Sequence, residues 1–169
     1  AAPHGARVPL QGSAAAFLRE AGARLERGRL LVVDYCSPAT GLLAQRPWRD
    51  WLRTYRGHQR GEHYLRHPGE QDITAHVNFT ALRAGGEAAG LDHLALLTQS
   101  QFLIGLGEET QFADAFEDCR LPQEHAKVAL QLKHLVTPAG MGETFHVLVM
   151  ARGVEKEKAA RLGGLKFAR

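Results

Sequence analysis

The sequence predicts an α/β fold with three strands. Four consecutive apolar residues, Leu30 to Val33, lead into Asp34 and Tyr35. A continuous apolar run of this kind is typical of a strand that is buried on both faces beneath helices. Segments with helical spacing come before and after this run. Because ligands in open α/β sheets bind beyond the carboxyl ends of the strands, a binding crevice is expected to begin at Asp34 and Tyr35.

The remaining elements follow from caps and breakers in the chain. The predicted helices begin at Ser13, Asn78, Ser100 and Pro122. The predicted strands are Leu30–Tyr35, Leu94–Leu97 and Phe145–Met150. Between them, Cys36–Pro47 is predicted to be a loop, Trp48–Arg56 a short extended segment, and the residues beyond Arg152 a loosely held tail. Three strands make a narrow sheet, so a neighbour for the first strand is missing from the pattern.

Composition places the chain among ordinary soluble domains. The 169 residues contain 44% hydrophobic and 23% charged residues, with a formal charge of +3, which suits one domain with one core. No apolar run approaches the ~20 residues of a membrane span. Cys36 and Cys119 are far apart and have no metal-ligand spacing, which favours a reducing cytoplasm. We therefore expect a cytoplasmic protein that binds no membrane.

Two clusters in the middle of the chain each have two interpretations. The histidines His58, His63, His67 and His76 could bind a metal, but none has the spacing of a zinc motif, so solvated or phosphate-facing histidines are favoured and no metal is predicted. A basic and aromatic group could hold single-stranded nucleic acid or an acidic partner. The alternative interpretation is that the arginines are solvated and the aromatic residues pack into the core. This alternative is favoured, so a nucleic-acid partner is not expected. That group comprises Arg46, Trp48, Arg49, Trp51, Arg53, Tyr55, Arg56, Arg60 and Arg66.

Asp72, Thr74 and His76 alternate along the chain. An extended backbone would place all three on one face. A carboxylate, a hydroxyl and an imidazole aligned in this way could orient one another for general-base chemistry. A polar network that satisfies itself beside a helix cap would have the same pattern, so both interpretations stay open.

An ordered set of segments then becomes recognisable. The set is Gly28–Tyr35, Leu52–His58, Pro68–Phe79, Thr98-Gln99 with Phe102-Leu103 and Leu106-Gly107, and Met141–Glu143 with Phe145. This order resembles the MidA-like family of S-adenosylmethionine-dependent methyltransferases, which includes a mitochondrial assembly-factor enzyme that methylates an arginine of complex I. The resemblance departs from the family at Cys36, where glycine is usual, and at Asn78, where aspartate is usual.

The resemblance implies the carboxyl-terminal half of a Rossmann-like class I methyltransferase fold. Leu30–Tyr35 would be the fifth strand, and Leu94–Leu97 and Phe145–Met150 the antiparallel sixth and seventh strands at one edge. Strands one to four would lie upstream. Residues 1–152 would then be part of the catalytic domain, with 36–77 as a substrate-side insertion and 153–169 as a charged tail.

The implied cofactor is S-adenosylmethionine, whose main binding loop and ribose-binding acid have no positions in this chain. The cofactor-binding residues are therefore unknown, and this segment alone is expected to be inactive. The candidate catalytic residues are Asp34, Asp72 and His76, and the candidate substrate-binding residues are Tyr35, Tyr55, His58 and Thr74. Asp34 and Asp72 could together grip a substrate guanidinium through bidentate hydrogen bonds.

The expected activity is methyl transfer, with a protein arginine as one acceptor. A second hypothesis from a different class is a non-catalytic binding or assembly module built on a truncated methyltransferase fold. Such a module would use the exposed sheet edge or the stretch Trp48–Arg60. Because an open edge tends to pair with other chains, a homodimer is one expected assembly.

Overall fold

A computed structural model describes residues 3–37, 40–155, 157–158 and 161–168. The α-helices are α1 (Gly12–Arg24), α2 (Thr40–Gln45), α3 (Trp48–Trp51), α4 (Phe79–Ala88), α5 (Gln99–Gly107) and α6 (Pro122–Val136). The strands are β1 (Gly28–Ser37), β2 (Leu52–Arg56), β3 (Gln59–Arg60), β4 (Asp72–Ala75), β5 (Val77–Asn78), β6 (Asp92–Thr98) and β7 (Phe145–Arg152). Short 3₁₀ helices span Ala113–Phe116 and Gly163–Leu165. The result is a mixed α/β fold.

The larger sheet has the strand order β5-β1-β7-β6. Strand β7 is antiparallel to both β1 and β6, so β6 runs parallel to β1. The expectation of two antiparallel strands at this edge is therefore correct only for β7. On its other side β1 pairs with β5 at just two positions, Cys36 with Val77 and Ser37 with Asn78. Within the described part of the chain, the rest of that edge of β1 has no partner strand.

The two faces of this sheet carry separate apolar clusters. On one face, α1 and α4 cover the cluster Leu18, Phe79, Leu82, Leu91, Leu148 and Met150. On the other face, the cluster is Ala95, Leu97, Val147, Val149 and Leu165. The buried members of the second cluster come from β6, β7 and the 163–165 helix, and Phe102 of α5 packs against them, whereas β1 contributes no residue.

The expectation that β1 is buried on both faces is wrong for this chain. Alternate residues of a strand point to opposite faces, and Leu30 and Val32 pack against the first cluster. Leu31, Val33 and Tyr35 point the other way and keep 46%, 52% and 38% of their surface exposed. The apolar run was correctly predicted to be a strand, but the described elements cover its second face only in part.

The predicted cap at Asn78 is confirmed. Its side-chain oxygen accepts hydrogen bonds from the backbone N–H groups of Thr80 at 3.1 Å and Ala81 at 3.3 Å, both in the first turn of α4, where N–H groups have no carbonyl partner within the helix. We expect Asn78→Ala to lower the free energy of unfolding by about 1 kcal/mol. Asn78→Asp keeps a capping oxygen and is the control, expected to match the wild type in urea denaturation. An equal loss in both variants would contradict a capping role.

Other predicted boundaries move. Helix α1 begins at Gly12, so Ser13 lies inside it. Helix α5 is capped by Thr98 rather than Ser100, because Thr98 and Gln101 exchange hydrogen bonds in a capping box. The predicted loop Cys36–Pro47 contains the end of β1 and the helix α2.

The predicted extended segment Trp48–Arg56 is one helical turn, α3, followed by the strand β2. Strand β2 is the centre of a second, smaller sheet with the order β3-β2-β4. It pairs with β4 in an antiparallel register that sets Arg53 opposite Thr74 and Tyr55 opposite Asp72. This sheet brings the polar stretch Asp72–Ala75 alongside the aromatic one.

The end of the chain is held more firmly than expected. Leu165 is only 5% exposed and belongs to the second apolar cluster. Residues 163–165 pack so closely on α5 that a Cβ atom added at Gly105 would overlap the carbonyl oxygen of Gly163. The segment 163–165 is therefore part of the core.

This close approach predicts opposite outcomes for two helical glycines. Gly105→Ala is expected to destabilise the protein by about 1–3 kcal/mol, because backbone must move to make room. Gly12→Ala, in α1, meets nothing within 4 Å and is expected to be neutral or to stabilise by up to about 1 kcal/mol. Urea denaturation of both variants measures the difference. Equal effects would show that the 163–165 segment does not pack on α5 in solution.

Candidate active-site cleft

A cleft of about 170 Å³ lies beside the carboxyl-terminal end of β1, against β2 and β4. Its lining residues are Tyr35, Trp51, Arg53, Tyr55, Thr74, Ala75 and His76. Two sheets meet here: the main sheet supplies Tyr35, and the small sheet supplies most of the polar groups. His76, which follows directly after β4, completes the lining. This is the position at which an open α/β sheet is expected to bind ligands.

Aromatic rings form much of the wall. The rings of Tyr35 and His76 stack with centroids 6.5 Å apart and planes 14° apart. On its other side, Tyr35 contacts Phe145 at a centroid distance of 4.2 Å. The backbone N–H of His76 donates to the carbonyl oxygen of Trp51 at 2.8 Å, which fixes the main chain of His76 beside that of Trp51. The imidazole is therefore held in place by packing and by its backbone.

The small sheet arranges its polar groups on one face. Residues directly opposite each other in a sheet share a face, so the register places Arg53 with Thr74 and Tyr55 with Asp72 on the same side. This confirms that Asp72 and Thr74 lie on a common face. His76 lies one residue beyond the strand and lines the same cleft as Thr74.

The electrostatics favour a neutral imidazole. Burial lowers the pKa of His76 below its usual 6.5, and the positive charges of Arg53 and Arg46 lower it further. The carboxylate of Asp34 acts in the opposite direction and raises that pKa. At neutral pH the imidazole is therefore unprotonated, and one ring nitrogen is able to accept a proton.

Comparison with known proteins gives the family. Residues 2–97 match the model of a family described as "Putative S-adenosyl-L-methionine-dependent methyltransferase". The chain belongs to this family. A search of curated proteins found no match.

Two crystal structures from Burkholderia thailandensis have a similar fold. One is an uncharacterised protein, with 28% sequence identity, a TM-score of 0.79, and coverage of 98% of this chain and 44% of that one. The other, of the same superfamily and bound to S-adenosyl-homocysteine, has 28% identity, a TM-score of 0.75, and coverage of 94% and 40%. The chain thus spans less than half the length of these relatives.

The cleft gathers several of the residues that the sequence singled out. Those that line it are Tyr35, Tyr55, Thr74 and His76. Asp34 does not line it: its carboxylate oxygen accepts a hydrogen bond from the backbone N–H of Tyr35 at 2.7 Å, and it affects the cleft through its charge on His76. Its position in β1 directs its side chain to the opposite face from that of Tyr35.

Two predicted residues lie outside the cleft lining. Asp72 is exposed on the face of β4 that carries Thr74, one residue pair further along. His58 is exposed at the two-residue turn between β2 and β3, where it and Gly57 both have positive φ. Asp34 and Asp72 do not form the predicted guanidinium-binding pair in the cleft. The two carboxylates belong to different sheets, and neither lines the cleft.

Sequence reasoning missed Trp51 and Arg53 as cleft residues. Both were recorded only within the basic and aromatic group. Trp51 is 4% exposed, in agreement with packed aromatics, whereas Trp48 lies nearer the surface with the guanidinium carbon of Arg49 4.6 Å from its ring centroid. The alternation of Arg53 with Tyr55 was the available signal, but its meaning depended on the pairing of β2 with β4.

This cleft is too small to hold the whole of S-adenosylmethionine. Pockets for ligands of that size usually measure about 300–1,000 Å³, and this cleft is about 170 Å³. Among the described residues no group of histidine, cysteine or acidic side chains could hold a metal ion, and no helix there is long and apolar enough to cross a membrane.

Proposed function

We propose that this chain is the acceptor-side, carboxyl-terminal part of a MidA-like S-adenosylmethionine-dependent methyltransferase, and that a protein arginine is its methyl acceptor. The observation that carries the proposal is the cleft at the carboxyl end of β1, in a chain whose residues 2–97 match the methyltransferase family. The similar structure bound to S-adenosyl-homocysteine supports the cofactor.

The sheet supports the assignment to half of a larger fold. The order β1-β7-β6, with β7 antiparallel, is the order expected for strands five, seven and six of a Rossmann-like methyltransferase. In this proposal further parallel strands pair with the open edge of β1, and the helices that accompany them cover Leu31 and Val33. Those strands carry the glycine loop that binds S-adenosylmethionine, so this chain alone is inactive.

The chain's own residues act on the acceptor. The neutral imidazole of His76 accepts a proton from the acceptor nitrogen, and the charge of Asp34 stabilises the imidazolium that results. The ring of Tyr35, which stacks on that of His76, borders the acceptor side chain where it passes the mouth of the cleft, and the Thr74 hydroxyl supplies a hydrogen bond. S-adenosylmethionine supplies the methyl group from the remainder of the protein.

The test is transfer of a radiolabelled methyl group. The full-length protein that carries this chain is incubated with S-adenosylmethionine, labelled in its methyl group, and with an extract of unmodified proteins. The proposal predicts label in protein that is recovered as methylarginine after acid hydrolysis. Label recovered as another methylated residue would overturn the arginine assignment, and no labelled protein would overturn the methyltransferase assignment for protein acceptors.

The open edge of β1 favours a second candidate, a non-catalytic module that binds a protein partner or a second copy of itself. An unpaired strand with exposed apolar residues is a typical surface for such pairing. Sedimentation of the 169-residue chain separates the two: a stable folded dimer with no methyl transfer in the full-length protein would favour the module. A cytoplasmic location stays a prediction, with Cys119 present as a free thiol.

A further inference from the structure

Arg53 carries a charge that no described residue balances. Its side chain is partly buried, its Nε is shielded from solvent without a hydrogen-bond partner, and it takes part in none of the ion pairs within the described part of the chain. Arg56, three residues on, is exposed and pairs with Glu70 at 2.7 Å. Because a partly buried charge costs free energy unless it is paired, Arg53 indicates an anionic partner.

The surroundings of Arg53 support an anion in the cleft. The indole Nε1 of Trp51 is a second shielded N–H donor without a partner among the described residues. Trp51 as a whole is only 4% exposed. Arg46 adds positive charge, since it too acts on the pKa of His76. The other walls are the rings of Tyr35 and Tyr55, which suit an apolar stem.

We propose that the cleft binds an aliphatic carboxylate, held by the guanidinium of Arg53 with its alkyl stem against the rings of Tyr35 and Tyr55. The planar fork of a guanidinium matches the two oxygens of a carboxylate. A volume of about 170 Å³ corresponds to about five or six water molecules at about 30 Å³ each. That accommodates a carboxylate with a short stem and excludes a nucleotide.

The source of the carboxylate rests on the proposed function. If the acceptor is a protein, the group is the acidic side chain of a residue near the methylated arginine. The charge of Arg53 would keep the acceptor guanidinium away from Arg53 and against His76, and the neighbouring acidic residue would enter beside Arg53. The amino-acid carboxylate of the cofactor is the other source, and the two are separated by the choice of probe.

The experiment is a titration of the 169-residue chain followed by proton–nitrogen correlation spectra. The sequence has two tryptophans, so two indole signals are expected, and the variant Trp48→Phe assigns that of Trp51. The probes are the α-amide of N-acetylglutamic acid, its uncharged glutamine counterpart, and S-adenosyl-homocysteine. We expect the glutamic probe alone to shift the Trp51 signal saturably and to raise the pKa of His76.

Matched variants locate the binding. Arg53→Gln is expected to weaken binding of the glutamic probe by at least about tenfold, since a charge-assisted bidentate contact is lost. Arg56→Gln is expected to leave it unchanged. In the free Arg53→Gln protein the pKa of His76 should rise, because a positive charge that lowers it is removed. If this variant gives a collapsed spectrum, Arg53→Lys, which keeps the charge but loses the fork, is used instead and is expected to bind more weakly than wild type.

The outcomes are distinct. No saturable shift with either the glutamic probe or S-adenosyl-homocysteine, or equal affinity in the wild type and the Arg53 variant, overturns the carboxylate site. A shift with S-adenosyl-homocysteine but not with the glutamic probe overturns the acceptor as its source. Because binding is measured without methyl transfer, a carboxylate site in a protein that methylates nothing leaves the inference standing and rejects the proposed function. Methyl transfer to protein without carboxylate binding would support the proposed function and overturn the carboxylate site.

Discussion

Replacing Phe79 with alanine is expected to lower the free energy of unfolding by about 3–5 kcal/mol. Phe79 is 1% exposed and packs at the start of α4 with Leu18, Leu82 and Leu148. Alanine removes most of that apolar surface and leaves a cavity between the helices and the sheet. Because domains of this size are usually stable by only about 5–15 kcal/mol, the change removes a large fraction of the total.

The control is another phenylalanine in a helix of the same layer. Phe17 of α1 is 58% exposed, so Phe17→Ala is expected to cost less than about 1 kcal/mol. Urea denaturation followed by circular dichroism measures both variants. Similar losses for the two, or a loss below about 1 kcal/mol for Phe79→Ala, would contradict the placement of α4 on the sheet.

Replacing His76 with glutamine is expected to reduce methyl transfer by the full-length protein about 100- to 10,000-fold, the usual contribution of a general base. The pKa of His76 lies below 6.5 because of burial and the charges of Arg53 and Arg46. The wild-type rate should therefore be level near neutral pH and fall as the pH decreases through that lowered pKa. The variant should lack this acid limb, since no imidazole remains at the position to be protonated.

His58 provides the matched control for this prediction. It is a histidine of the same segment, but it lies exposed at the β2–β3 turn and does not line the cleft. His58→Gln is expected to keep the wild-type rate and the wild-type pH profile. A large loss in His58→Gln would reinstate it as a substrate-binding residue. An unchanged acid limb in His76→Gln would assign the proton transfer to another group.

Sequence signals correctly predicted the helix ends and strands that depend only on neighbouring residues. The capping oxygen of Asn78 needs only its own first turn, and Pro122 begins α6 because its fixed φ and missing N–H suit that position. Three of the four strands of the main sheet, β1, β6 and β7, were found from apolar runs. The predicted burial of β1 was wrong because a run of apolar residues shows that two faces are suited to burial, and does not show which elements cover them.

The part of the site that could be predicted is the part that depends on the alternation of side chains along one strand. Asp72 and Thr74 share a face because both belong to one strand, and the distance of two residues fixes that relation. The place of Arg53 in the cleft depends on the register of β2 against β4, which links residues about 20 positions apart. No local pattern encodes that register. For the same reason the sequence analysis predicted that Asp34 and Asp72 bind one guanidinium together, whereas in the structure they lie in different sheets.

The most direct test of the account is calorimetric titration of S-adenosylmethionine into the 169-residue chain and into the full-length protein that carries it. The account predicts no saturable heat with the chain alone, because its cleft is too small for the whole cofactor. It predicts saturable binding by the full-length protein. Saturable binding by the 169-residue chain would contradict the division into a cofactor side and an acceptor side, and no binding by the full-length protein would contradict the methyltransferase function itself.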